Sequence, residues 1–161
     1  GAIGYAGMVR ASDQSLFSKY YESQETLIPP KVQSAGKDRP EYLITANCLV
    51  WKPALEKIGG FNEKIRIAAG EDIDLGFRLR EIGDLEYALD SHIIHDFETG
   101  FISFLKRFYR YGRGNRYLSR LYNIDLHPRL FKPQSRTFLN FILAFLQRLS
   151  MTVGFHNRWR T

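Results

Sequence analysis

The residues best suited to chemistry lie in the segment Gly70-Glu71-Asp72-Ile73-Asp74-Leu75, where a glycine precedes adjacent carboxylates at the predicted start of a helix. The helix dipole and the unpaired N–H groups of a first helical turn stabilise a carboxylate anion. The segment therefore predicts a general base that is ionised at neutral pH, with Asp72 as the candidate. An ordinary acidic helix N-terminus is the alternative interpretation.

Helical geometry separates the two aspartates of this segment. At about 100° per residue, one apolar stripe is formed by Leu75, Leu79 and Ile82. Asp72 and Asp74 then point to nearly opposite sides of the helix. Because diverging carboxylates do not readily hold one cation, the Asp-x-Asp spacing is not predicted to bind a metal here.

The elements that position this helix lie just upstream. Residues 42–51 read Tyr-Leu-Ile-Thr-Ala-Asn-Cys-Leu-Val-Trp, an apolar run that predicts a buried strand. Lys52-Pro53 opens a short helix that ends at Gly59-Gly60, and Phe61-Asn62-Glu63 leads into the loop before Gly70. The rest of the chain predicts a strand at 5–9, a helix at 15–26, a polar loop at 29–40, a strand at 91–95 and a helix at 101–117 that loosens at Gly112 and Gly114.

The order of a Thr-Ala-Asn strand, a Gly-Gly-Phe-Asn-Glu turn and a Gly-Glu-Asp-x-Asp-Leu-x-x-Arg-Leu helix resembles the acceptor half of the family 2 glycosyltransferases of GT-A fold. The resemblance covers about residues 1–118. It implies an α/β fold in which residues 1–118 form a partial GT-A-like mixed sheet with flanking helices, the acceptor and catalytic half of the domain. A basic, amphipathic and largely helical C-terminal segment at residues 119–161 follows it.

The same resemblance implies an inverting transfer in which Asp72 removes the proton from an acceptor hydroxyl, which then attacks the anomeric carbon of a nucleotide-sugar. It implies acceptor-binding roles for Glu71, Asn47, Gly60 and Phe61, with core packing as the alternative for Phe61. The acceptor is expected to be a saccharide or a lipid-linked molecule. The Gln-x-x-Arg-Trp motif of processive polysaccharide synthases does not occur, so a non-processive enzyme is expected.

The family also implies a nucleotide-binding half with an Asp-x-Asp that holds a divalent metal, Mg²⁺ or Mn²⁺, on the donor diphosphate. Nothing before Glu41 matches it, so this chain is expected to correspond to the acceptor half and to be inactive without an upstream half. His95 closes the predicted strand 91–95 and is a candidate metal ligand. A hydrogen-bonded histidine at a strand end is the alternative.

Charge is divided unevenly along the chain. Residues 1–99 carry 11 Lys and Arg against 16 Asp and Glu, whereas residues 100–161 carry 12 against 1. This pattern indicates a phosphate-bearing partner, namely a nucleotide diphosphate, an anionic lipid or nucleic acid, with a solvated basic face as the alternative. A Tyr-Gly-Arg-Gly segment that also looks like family 2 members makes Arg110, Arg113 and Arg116 candidates for contact with a diphosphate or a lipid phosphate.

Residues 137–155 are mostly apolar. The run is broken by Gln147-Arg148 and its uninterrupted part is too short to span a bilayer, which favours a helix at a membrane surface or against another protein, with a core helix as the alternative. Attachment to an anionic cytoplasmic leaflet is favoured by the neighbouring basic residues Arg129, Lys132, Arg136, Arg158 and Arg160.

The single cysteine, Cys48, lies in an apolar run and allows no intrachain disulfide, which fits a cytoplasmic protein. Together with the basic, apolar C-terminal segment, this predicts a peripheral position on the inner face of the membrane. The alternative function is a non-catalytic basic module that binds a membrane surface or nucleic acid through residues 100–161. Nucleic acid is the less favoured partner, because no recognisable nucleic-acid-binding fold accompanies the arginines.

Overall fold

The computed structural model describes residues 1–157, which form a mixed α/β fold as predicted. In chain order the elements are β1 (Gly4–Ala11), α1 (Leu16–Ser23), β2 (Lys31–Ser34), β3 (Lys37–Pro40), β4 (Cys48–Val50), α2 (Lys52–Lys57), α3 (Glu71–Arg80), β5 (Leu85–His95), α4 (Phe101–Tyr122) and α5 (Phe138–His156).

The main sheet has three strands in the order β4-β1-β5, with β1 antiparallel to β4 and parallel to β5. The register between β1 and β5 shifts after Gly7, where Ala88 pairs with Gly7 but His92 pairs with Met8. Asn47 bridges this irregularity, because its side-chain amide donates to the carbonyls of Met8 (2.9 Å) and Ser91 (3.1 Å).

Two apolar clusters hold the helices to the sheet. The predicted stripe of α3 is confirmed at Leu75 and Leu79, which are buried in one cluster with Ala6, Leu43 and Leu85. The second cluster joins α1, α4 and α5 and includes Tyr20, Tyr21, Phe97, Phe104, Phe108 and Leu143. The apolar stripe fixes the rotation of α3, and the rotation decides which way its acidic side chains point.

Two predicted elements are wrong in part. Residues 42–51 are not one strand: only Cys48–Val50 pairs with β1, because the chain turns where the Asn47 N–H donates to the Ile44 carbonyl at 3.2 Å. Residues 29–40 are not a loop but contain the β2–β3 hairpin. Its two-residue turn is Ala35-Gly36, with φ of 50° and 75°, the positive angles that a tight hairpin turn requires.

The helix predicted to loosen at Gly112 and Gly114 instead runs unbroken through both, and it also crosses the predicted boundary between residues 118 and 119. The glycines mark close backbone contacts rather than breaks. A Cβ at Gly112 would collide with the carbonyl of Met151 on α5, and a Cβ at Gly114 would collide with the carbonyl of Ala69. Small residues allow this approach, as they do wherever helix backbones pack closely.

Replacing Gly114 with alanine is expected to destabilise the protein by about 1–3 kcal/mol, because the added methyl group must push Ala69 away from α4. Thermal unfolding should show a fall in Tm of a few degrees. The matched control is Gly100→Ala at the start of α4, where the nearest atom to an added Cβ is the Ser103 Oγ at 3.5 Å and φ is −82°. Equal Tm values for the two variants would contradict the packing of α4 against residue 69.

Candidate active site

A cavity of about 780 Å³ lies at the N-terminus of α3. Its wall contains Gly70, Glu71 and Asp72, together with Tyr42 from the segment before β4 and Tyr111 from α4. Residues 24–31 and two residues of α5 close other sides. The volume lies within the range of roughly 300–1,000 Å³ that is typical of small-molecule sites.

The loop that carries the acidic pair is seated on α4. Gly70 adopts φ of +97°, a conformation that favours glycine, and it begins α3. A Cβ at Gly70 would lie 3.0 Å from Leu118, and Ala69 lies against Gly114 of the same helix. Helix α4 therefore packs against the loop and fixes the position of Asp72 in the cavity wall.

The predicted divergence of the two aspartates is confirmed. Asp72 is half-buried in the cavity wall, and its Oδ1 accepts a hydrogen bond from the N–H of Ile73 at 2.9 Å. Asp74 is 1% exposed and lies outside the cavity wall. Two residues along the helix, about 200° of rotation, thus separate a carboxylate that faces the cavity from one that is buried inside the protein.

The acid–base properties of Asp72 are set mainly by its burial. Burial, and next the neighbouring Glu71, raise the pKa of Asp72 from 3.8 to about 6. Interactions with the backbone at Ile73, Asp72 and Thr45 act in the opposite direction but are outweighed. Burial therefore opposes the stabilisation of the anion that the helix N-terminus provides. The anion still predominates above pH 6, so Asp72 can accept a proton near neutrality.

Glu71 lies beside Asp72 in the cavity wall. Its Oε2 is buried and has no hydrogen-bond partner among the described residues. Since buried polar atoms are nearly always hydrogen-bonded, an oxygen in this position is suited to receive a hydroxyl donor from a ligand.

Asp74 organises a cluster that the sequence did not reveal. Its Oδ2 accepts from Arg78 Nε at 2.9 Å and lies 2.7 Å from Arg78 Nη2, while its Oδ1 accepts from the Tyr122 hydroxyl at 2.7 Å. Arg78 Nη1 also donates to the carbonyls of Ile58 (2.9 Å) and Gly60 (2.8 Å). The cluster ties α3 to the turn after α2 and to the end of α4. The spacing of Asp74 and Arg78, four residues apart on a helix, was the available signal.

The other residues that the resemblance assigned to the acceptor do not line the cavity. Gly59 and Gly60 form the predicted tight turn, with φ of 75° and 70°. Phe61 is 47% exposed, so the alternative of core packing is wrong. Both N–H groups of the Asn47 side-chain amide donate within the sheet, to the carbonyls of Met8 and Ser91.

The three candidate arginines lie on the other side of α4 from the cavity. Phe108, Tyr111 and Asn115 line the cavity. At about 100° per residue, Arg110 and Arg113 fall about 100–160° away from them, and Arg116 about 80–140° away. Arg116 Nη1 donates to the Phe155 carbonyl of α5 at 2.7 Å. Because α4 is continuous, a phosphate bound by these arginines would lie outside this cavity.

His95 is also remote from the cavity wall. Its ring packs edge-on against Phe97, with ring centroids 4.8 Å apart, and burial and then the charge of Arg107 lower its pKa. Across residues 1–157, no three or more His, Cys, Asp or Glu side chains come together as a metal-binding group. The divalent metal that the resemblance implies, held mostly by an upstream half, stays a prediction.

Several cavity residues were missed by sequence reasoning. Tyr111 lies in the Tyr-Gly-Arg-Gly segment, but attention to its charges pointed to the arginines instead. Gln147 accepts a hydrogen bond from the Tyr20 hydroxyl at 2.7 Å, so the polar interruption in α5 serves the interior. The spacing of Phe108, Tyr111 and Asn115 defines one face of α4, yet the sequence alone does not tell which face meets the cavity.

Comparisons of the chain with protein-family models, with curated proteins and with solved structures gave no match.

Proposed function

We propose that this protein is an inverting, non-processive glycosyltransferase and that Asp72 is its general base. The single observation that carries the proposal is a carboxylate in a cavity of about 780 Å³ with a pKa raised to about 6. A general base works best when its pKa lies close to the working pH, and perturbed pKa values in clefts are typical of functional sites.

The surroundings of Asp72 suit a hydroxylated acceptor. The buried Oε2 of Glu71 is placed to accept a hydrogen bond from a sugar hydroxyl. Tyr42 and Tyr111 present aromatic rings and hydroxyl groups in the same wall, a combination that suits the apolar faces and polar edges of a saccharide. The acceptor class proposed is accordingly a saccharide, free or linked to a lipid.

The reaction proposed is a direct displacement. Asp72 takes the proton of the acceptor hydroxyl while the acceptor oxygen forms a bond to the anomeric carbon of a nucleotide-sugar. The bond from that carbon to the diphosphate oxygen breaks, and the nucleoside diphosphate leaves with the electron pair.

The fold proposed for residues 1–118 is the acceptor half of a GT-A domain. Its support is the order of elements: a short strand, the Gly59-Gly60 turn, and a helix that begins at Glu71 with the catalytic carboxylate in its first turn. The main sheet of this chain, which would form part of the GT-A sheet, has three strands.

The test is sugar transfer by the full-length protein, meaning this chain together with any segment that precedes it in the natural protein. Donors are a panel of nucleotide-sugars, acceptors are simple glycosides, and the product is characterised by nuclear magnetic resonance. The proposal expects release of a nucleoside diphosphate and a glycoside with the anomeric configuration opposite to that of the donor. A product that retains the configuration, or a full-length protein that transfers from no donor of the panel, would contradict it.

A further inference from the structure

The outer face of α5 carries exposed apolar side chains from Phe138 to Val153. Its exposed side chains are Phe138 (82%), Leu139 (43%), Phe141 (45%), Ile142 (40%), Phe145 (57%), Leu149 (49%) and Val153 (54%). They recur at the three- and four-residue spacing of one helix face. Scattered exposed apolar residues are ordinary, but a continuous stripe of this size marks a surface that binds something.

The polar residues of α5 are at most partly exposed, except for His156 at its C-terminal end. Gln147 is bonded to Tyr20, and Ser150 Oγ donates to the Leu105 carbonyl at 2.6 Å. Arg148 and Thr152 are half-buried. The interruption at Gln147-Arg148 therefore does not break the apolar face that solvent meets.

The chain that leads into α5 carries exposed positive charge. Arg129, Lys132 and Arg136 are exposed. The one acid between residues 100 and 161 is Asp125, and its carboxylate is 2.7 Å from Arg129. Arg158 and Arg160, which the sequence analysis grouped with these residues, lie outside the described part of the chain. The apolar face is thus preceded along the chain by exposed cations, of which Arg136 lies two residues before Phe138.

We propose that this face of α5 binds an anionic lipid bilayer, with the helix lying in the plane of the membrane surface. An apolar face enters the boundary between headgroups and acyl chains, and neighbouring basic residues bind anionic headgroups. A second copy of the chain fits the surface less well, because the basic segments that precede α5 in the two copies would repel each other where they meet.

The in-plane placement follows from the inner face. By length and composition Phe138–His156 could cross a membrane. Its inner face, however, is packed in the protein through Leu143, Ala144 and Gly154. A membrane-spanning arrangement would break all of these contacts, whereas lying on the surface keeps them. Met151 lines the cavity from the inner side, so bilayer and cavity lie about one helix diameter, ~10 Å, apart.

The test is flotation of the full-length protein with vesicles of phosphatidylcholine, alone or mixed with phosphatidylglycerol. We expect binding to the anionic vesicles that weakens as salt rises. A variant that replaces three outer residues with serine is expected to bind at least about tenfold more weakly, since each loses apolar area that the bilayer would bury. That variant is Phe138→Ser, Phe145→Ser and Leu149→Ser.

The matched control replaces three equally exposed apolar residues on other elements, namely Leu49→Ser (70% exposed), Trp51→Ser (63%) and Ile94→Ser (75%). It should bind as the parent does. A second variant, Arg136→Gln, should bind roughly fivefold more weakly to anionic vesicles and as the parent does to neutral ones.

Four results would overturn the proposal: no binding to anionic vesicles, equal binding by the outer-face variant and its control, bound protein that resists alkaline carbonate extraction as a spanning helix does, or a dimer in solution that the outer-face variant dissociates. Binding alone is measured, so failure here leaves the proposed transferase activity untouched.

Discussion

Asp72→Asn in the full-length protein is expected to reduce sugar transfer by about 10²–10⁴-fold, the usual contribution of a positioned general base. Asparagine keeps the size of the side chain and the hydrogen bond from the Ile73 N–H, so the loss reports the missing proton acceptor. Binding of the nucleotide-sugar should change little. The measurement is steady-state transfer by both proteins together with donor binding by calorimetry.

The same substitution is expected to stabilise the fold at neutral pH. The pKa of Asp72 is raised from 3.8 to about 6, so the folded protein binds this proton more tightly than the unfolded chain does. Its contribution to stability is therefore full below pH 3.8 and is lost as the pH rises through 6. At pH 7 the folded protein must hold Asp72 as a half-buried anion, which lowers its stability. A neutral amide avoids this cost, so we expect the free energy of unfolding of Asp72→Asn to be about 1–2 kcal/mol higher, after a discount for partial exposure, with a higher Tm.

Loss of transfer with a gain in stability separates a catalytic carboxylate from a structural one. An aspartate that served only to cap α3 would lose stability when neutralised and would leave transfer largely intact. Either retained transfer or a lower Tm in Asp72→Asn would contradict the role assigned to this residue.

Asp74→Asn, two residues further along the same helix, is expected to have the opposite effect on stability. Asp74 is 1% exposed and binds both Arg78 and Tyr122. Removing its charge leaves the guanidinium of Arg78 uncompensated in a mostly buried position, which typically costs about 3–5 kcal/mol. Thermal unfolding should show a fall in Tm of roughly 10 °C or more.

The control for Asp74 is Asp125→Asn. Asp125 and Arg129 have the same spacing along the chain and the same 2.7 Å separation as Asp74 and Arg78, but both are exposed to solvent. An exposed pair contributes little to folding, so this variant should unfold at the parent temperature. Similar Tm values for Asp74→Asn and Asp125→Asn would show that the cluster around Asp74 does not stabilise the fold.

Much of the local structure around the site could be predicted from sequence. The start of α3 at Glu71, its apolar stripe and the divergence of Asp72 from Asp74 follow from helical periodicity, which depends on neighbouring residues alone. The turn at Gly59-Gly60 follows from glycine chemistry for the same reason.

The errors arose where contacts between distant segments decide the result. Gly112 and Gly114 look like helix breakers, yet they are the positions at which Met151 and Ala69 touch α4, and no local pattern reveals those partners. The rotation of α4 placed Tyr111 in the cavity wall and Arg110 on the far side for the same reason. The pKa of Asp72 depends on burial, which is likewise set by the whole fold.

The β2–β3 hairpin was missed for a different reason. Its strands carry Lys31, Gln33, Lys37 and Asp38, so they lack the apolar alternation that usually identifies a strand. The Ala35-Gly36 turn was the one usable signal, and it is weaker than an Asn-Gly or Asp-Gly turn.

The measurement that most directly tests Asp72 as the base is the pH dependence of kcat/KM for transfer by the full-length protein. Only the ionised carboxylate accepts a proton, so kcat/KM should rise about tenfold per pH unit below pH 6 and level off above it, following the raised pKa of Asp72. Asp72→Asn should lack this rise. A profile that is flat through pH 6, or a variant that keeps the same rise, would contradict the assignment.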